Sequence, residues 1–218
     1  MTQSLLDELD NTLDEHFSIS SAAEREEYRS MLATIKGQAR LDSVEQCINR
    51  FVAAEVDCAT PGDRGIGRIS LSPPRLGGYL RKKIAALSPQ ELRELSDLIR
   101  NLVFRGYVAY MLTMGEKCNP TTGRFREDQL FAEWIGKIYA TNLPKNVEMM
   151  LRNVIKTPAD RVKHFLASKN AVGGGIFSVD KTDDILIWYP IAGFMLRNTE
   201  MALRRSANQV DRRRQRAA

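Results

Sequence analysis

Histidine, cysteine and tryptophan are scarce in this chain of 218 residues, which holds two, three and two of them. With only His16 and His164, and no spacing that joins either to a nucleophile, no triad or acid–base pair is legible. Cys47, Cys58 and Cys118 are widely spaced and odd in number, so they form neither a disulfide framework nor the paired ligands of a structural zinc. Long apolar runs are missing as well. The longest uncharged stretch, Ile185 to Leu196, is twelve residues and contains Pro190 and Gly193, short of the roughly 20 needed to cross a bilayer. The first eight residues include Asp7 and Glu8 and lack the basic and apolar regions of a signal peptide. These absences predict a cytoplasmic protein with reduced thiols, no cofactor, no metal and no enzymatic activity.

What is present is charge, and its distribution is uneven. The net charge is +5. Eight acids against Arg25 give residues 1–27 a charge of −7, whereas seven arginines against Glu200 and Asp211 give residues 197–218 a charge of +5. The stretch between them carries +7. An acidic head facing a basic middle and tail suits an anionic partner, self-association or an internal contact.

Apolar periodicity predicts a mainly α protein. Leu5, Leu6, Leu9 and Leu13 share one helical face. Ser21-Ala22-Ala23-Glu24 has the spacing of a capping box, and Asp42-Ser43-Val44-Glu45 opens a helix that turns Val44, Ile48, Phe51 and Val52 inward. Pro61, Pro73 and Pro74, with five glycines, exclude a continuous helix over 59–78. That stretch divides an N-terminal helical region, 1–58, from a helical core, 79–196. Within it, Arg64 and Arg68 flank Gly65 and Gly67 and form a candidate anion loop, although the spacing matches no nucleotide-binding motif.

Ser88-Pro89-Gln90-Glu91 starts a long helix, with serine as cap, proline in the first position and glutamate reaching back. Its inward stripe runs from Leu92 to Met114, and Gly106 inside it marks a close helix contact. Three further helices are predicted from Glu127, from Pro144 and from Thr157, the last reaching Lys169. Gly173-Gly174-Gly175 then precedes two apolar runs, 176–179 and 185–189, around an Asp-rich turn, which predicts a β-hairpin over 176–189.

Three helices followed by a hairpin resembles the order of elements in winged-helix domains, here over 126–190. The resemblance implies that Arg161, Lys163 and Lys169 of the third helix face nucleic acid. Asp180, Asp183 and Asp184 in the turn oppose phosphate, so the hairpin reads as a brace rather than a reader. The remaining segment, 197–218, reads as an arginine-rich helix. Arg197, Arg204, Arg205, Arg212 and Arg216 recur at spacings that gather them on one side, with Arg213 and Arg214 between. The expected function is that of a small nucleic-acid-binding protein of regulatory, partition, packaging or nucleocapsid type, gripping its ligand through these arginines and the third helix. The alternative is a helical assembly or adaptor subunit that binds protein partners or further copies of itself through its acidic N-terminus and basic tail.

Overall fold

The computed structural model describes residues 40–57, 84, 86–113, 125–140, 143–168 and 185–217. Six helices occur among them: α1 (Arg40–Asp57), α2 (Pro89–Thr113), α3 (Glu127–Ala140), α4 (Lys145–Val154), α5 (Lys156–Ser168) and α6 (Trp188–Ala217). The capping box forms as the sequence predicts. The Ser88 amide donates to Glu91 Oε2 at 2.8 Å, and the Glu91 amide donates to Ser88 Oγ at 3.3 Å. Two of the amides that a helix start leaves without intrahelical partners are thereby satisfied, and the start of α2 is fixed.

α2 and α6 cross at the centre of the bundle, and the crossing is unusually tight. Gly106 lies against the Pro190 carbonyl, and Gly193 lies against the Val103 carbonyl and the Tyr107 amide. Without side chains at either glycine the two backbones touch directly. α3 and α1 pack around this pair, and α5 and α4 cover the other side of α2. One continuous core results. It joins Val44, Ile48 and Phe51 of α1 to Leu95, Ile99 and Leu102 of α2, Trp134 and Ile138 of α3, Val162 of α5 and Leu196 and Leu203 of α6. Residues on both sides of the expected 59–78 boundary therefore contribute to it, while 59–78 itself lies outside the described residues.

Two buried polar pins attach α6 to its neighbours. Trp134 Nε1 donates to the Ala192 carbonyl at 2.8 Å, and the Tyr189 hydroxyl donates to Glu55 Oε2 at 3.0 Å. Glu55 is 1% exposed, so an unmatched carboxylate there would be costly. Aromatic contacts run through the same place: the Phe51 ring lies 5.1 Å from Trp134 and 6.4 Å from Tyr189.

The β-hairpin is a correction. Residues 176–184 lie outside the described residues, but the expected second strand is not extended. Ile185 and Leu186 are helical, Ile187 is a turn, and α6 begins at Trp188. Leu186, Ile187, Trp188 and Tyr189 are all buried, so the run lacks the two differently exposed faces of a half-buried strand. A short apolar run is ambiguous between a core strand and a buried helix start, and here packing against α1 and α3 decides for helix. Pro190 does not break it. It occupies the first turn of α6, where its missing N–H has no intrahelical acceptor to forgo. With no strand there, the winged-helix arrangement over 126–190 is not supported: its three helices are present as α3, α4 and α5, but no strand follows among the described residues.

Candidate nucleic-acid interface

α6 is 30 residues long and divides into an anchored and an emergent part. From Trp188 to Arg204 nearly every residue is buried or half-buried; from Gln209 to Ala217 every residue is exposed. None of the described helices closely covers the last turns of α6. On the side turned back toward the bundle, a cleft of about 650 Å³ separates it from Phe125 and Gln129. The helix contributes Leu203, Ala207, Val210 and Arg214 to that cleft, the i, i+4, i+7, i+11 spacing of a single face.

The seven arginines of 197–218 do not form one stripe. Arg197 and Arg204 are each 3% exposed and close on Glu200, which is 1% exposed. Arg197 Nη1 donates to Glu200 Oε2 at 2.7 Å and to the Tyr107 hydroxyl oxygen at 3.0 Å. The Tyr107 hydroxyl itself donates to Glu200 Oε2 at 2.7 Å, and Arg204 Nη2 pairs with Glu200 Oε1. Burial pushes the Glu200 carboxyl up, but the two guanidiniums and the Tyr107 hydroxyl outweigh it and hold the group below the ordinary carboxylate range. Burial also pushes the Tyr107 hydroxyl well above the usual tyrosine range, with Arg197 acting against this and Glu200 adding to it. The phenol accordingly keeps its proton and remains a donor. Arg204 also stacks on Phe125, 5.4 Å from the ring centroid, and Arg197 on Tyr107 at the same distance.

Arg197 and Arg204 thus have their charge matched inside the protein and no surface to offer a phosphate. Spacing alone grouped them with Arg205, Arg212 and Arg216, because i, i+7 and i+8 arithmetic tolerates a slow drift around the helix. The missing signal was available: Arg197, Glu200 and Arg204 stand at i, i+3 and i+7, each of the arginines directly after an apolar core position, Leu196 and Leu203, the pattern of an internal ion triad on a core-facing side. Tyr107 gave no such sign, since it is distant in sequence.

The outer face is different. Arg205, Gln209, Arg212 and Arg216 fall at i, i+4, i+7 and i+11, all exposed, with Arg213 beside them and Arg214 on the cleft side. Arg205, Arg212, Arg213, Arg214 and Arg216 take part in no ion pair among the described residues. The opposite face of the same helix, Gly193, Leu196, Glu200 and Leu203, is buried. The buried triad therefore sets the rotation of α6 about its axis and, with it, the direction of the outer arginines.

The third-helix candidates lie elsewhere. Arg161 is exposed on α5, and Lys163 pairs with Asp160 at 3.2 Å. α5 packs chiefly on α2 and α4, so these residues are not gathered with the outer face of α6. Lys169, Arg64 and Arg68 lie outside the described residues. His164 is exposed, and no cluster of His, Cys, Asp or Glu able to hold a metal occurs among the described residues. Cys47 is fully buried beneath α1, and burial, aided by Glu127, pushes its thiol up to about 12. Among the described residues no helix is long and apolar enough to cross a membrane. Neither protein-family models, nor curated proteins, nor solved structures gave a match to this chain.

Proposed function

We propose that this chain binds nucleic acid through the outer face of α6, with Arg205, Arg212, Arg213 and Arg216 as the principal cationic contacts. Arg214 and Arg161 add positive field nearby or at a distance. The observation that carries this reading is the contrast within one helix. Two arginines are neutralised in the core, and five others are exposed, without ion-pair partners among the described residues, four of them within the fully exposed segment 209–217. Arginine's planar fork suits bidentate phosphate contact, and solvated arginines paired with no acid among the described residues can release counterions from a polyanion.

The test is a binding titration of the full chain against DNA and RNA across salt concentrations. Four arginines each neutralising a phosphate set a ceiling of about −3.6 on the logarithmic salt slope, hence up to roughly 10²-fold weaker binding between 50 and 200 mM salt. The triple variant Arg212→Ala, Arg213→Ala, Arg216→Ala should flatten that slope and leave the melting temperature unchanged, because all three side chains are exposed. A chain ending at Gln209 keeps Leu203 and the buried triad and should behave like the triple variant. Binding that is absent at low salt, or unaltered by either change, removes the reading.

A second reading, assembly with protein partners, draws on the cleft beside α6, where apolar Phe125, Leu203 and Val210 are joined by Asp211 and Arg214. Val210 is 47% exposed in it. Light scattering on the chain with and without Val210→Glu separates this reading from the first: self-assembly predicts a mass above the monomer that falls with the substitution.

A further inference from the structure

We infer that the ligand of the outer α6 face is duplex DNA, entered through its major groove; the inference rests on the nucleic-acid reading above and narrows it. The argument begins with clearance. A side chain on a helix lying flat against its own bundle can meet phosphates, but the helix itself cannot enter a groove, because the bundle strikes the backbone walls first. In α6, residues 209–217 are exposed on every side, and the cleft against Phe125 and Gln129 opens the inward side as well. At about 1.5 Å per residue those nine residues extend roughly 13 Å beyond the anchored part. The major groove of B-DNA is about 8.5 Å deep and 12 Å wide, and a helix with its side chains is about 10–12 Å across. Length and width both fit.

The chemistry of the face fits the same groove. Arg205, Arg212 and Arg216 form the ridge of the outward face with Gln209 among them, and Arg213 projects to one flank and Asn208 to the other. Arginine presents a bidentate donor pair to guanine O6 and N7. Glutamine and asparagine present a donor and an acceptor to adenine N7 and N6. Arg213, on one flank of the ridge, can meet a phosphate on one wall of the groove, whereas Arg214 lies on the cleft side. An A-form RNA duplex offers no such seat, because its major groove is too deep and narrow for a helix. Single strands are gripped mainly by stacking on exposed rings, and the described aromatic side chains whose exposure is known are buried or half-buried.

The buried triad supplies what groove entry requires, a fixed rotation. If α6 could roll about its axis, the ridge would sweep past the bases without register. Arg197 and Arg204 gripping Glu200, with Glu200 held to Tyr107 of α2, prevent this one turn before the ridge begins.

The experiment uses the full chain and fluorescence anisotropy with four probes of matched length and sequence: double-stranded DNA, single-stranded DNA, double-stranded RNA and single-stranded RNA. Double-stranded DNA is expected to bind at least about tenfold more tightly than each of the others at equal salt. Dimethyl sulfate footprinting on the bound duplex should show protection at guanine N7, in the major groove, with adenine N3, in the minor groove, still reactive. Arg212→Ala should weaken the guanine N7 protection while the triple arginine variant binds weakly with a flattened salt slope, and both should melt like the parent chain, since these side chains are exposed. Equal or tighter binding to a single strand or to duplex RNA overturns the DNA-groove inference and leaves the nucleic-acid reading standing. Tight DNA binding with adenine N3 protected and guanine N7 open overturns the groove assignment alone. Failure of all four probes at low salt removes both.

Discussion

Replacing Gly193 with alanine adds one methyl group to the place where α2 and α6 touch. That methyl would sit 1.6 Å from the Val103 carbonyl oxygen and 2.9 Å from the Tyr107 nitrogen. Both are backbone atoms, so no rotamer change can relieve the contact. To restore ordinary van der Waals separation the helices must part by roughly 2 Å, in an interior that is otherwise packed to crystal-like density. Parting them also strains the 2.7 Å bond from Tyr107 to Glu200. Overpacking of this kind costs about 1–3 kcal/mol and sometimes more, and the immobile partners place Gly193 at the upper end. Alanine's better helix propensity returns about 1 kcal/mol, leaving a net loss near 2 kcal/mol. For a chain of this size that lowers the melting temperature by roughly 4–8 °C. Gly136 is the internal control, because it is helical and exposed and a methyl there meets nothing within 4 Å. Gly136→Ala should gain the propensity alone and raise the melting temperature by roughly 2–4 °C. Thermal unfolding followed by far-ultraviolet circular dichroism gives both values. If Gly193→Ala melts at or above the parent temperature, the direct backbone contact is not there and the reasoning fails.

Glu200→Gln leaves Arg197 and Arg204 buried without their counter-charge and should cost about 3–5 kcal/mol in urea unfolding. The Glu200 carboxyl is held below its ordinary range, so the parent chain has this stability above that range and loses it as pH falls through the folded-state value; the variant should lack that component of acid destabilisation. Cys47, pushed up to about 12 from an ordinary 9.0, should be labelled by iodoacetamide at pH 8 about 10³-fold more slowly in the native than in the unfolded chain, tested with Cys58→Ser and Cys118→Ser in place. Because that pKa is raised, its contribution to stability is complete below about pH 9 and declines as pH rises toward 12, whereas native labelling within tenfold of the unfolded rate would refute the burial.

Helix starts and inward faces were the most legible features. The capping box at Ser88 and the stripes of α1, α2 and α3 rest on local chemistry that the neighbouring residues alone decide, and over the described residues each forms as its spacing predicts, with Met114 lying outside them. Gly106 was legible for a related reason: a glycine inside a strong helical stripe costs stability unless another backbone needs the room. Its partner Gly193 was not, since the run before it suggested a strand. The failure over 185–189 lies in the physics of short apolar runs. β-branched and aromatic residues favour strands only where a pleated neighbour is available, and here the available neighbours are the helices α1 and α3. At the candidate site, the exposed arginines from Arg205 onward were legible from charge density. The burial of Arg197 and Arg204 was not, because it depends on Tyr107, which reaches Glu200 across 93 residues of sequence.

That long-range contact also explains how a helix with so many arginines can be half structural. Burying a guanidinium is unfavourable unless a carboxylate and further hydrogen bonds replace its water, and Glu200 serves two guanidiniums while Tyr107 completes its coordination. Such a network adds little net stability over an apolar core of the same shape. What it adds is selectivity among rotations of α6: a turn of 100° would carry Glu200 away from Tyr107 and bring Arg205 into the core with no acid to meet it. An all-leucine face would tolerate neighbouring rotations far better, since apolar contacts are not directional. The boundary between Arg204 and Arg205, adjacent in sequence and opposite in environment, is therefore where the charge that fixes the helix ends and the charge available to a ligand begins.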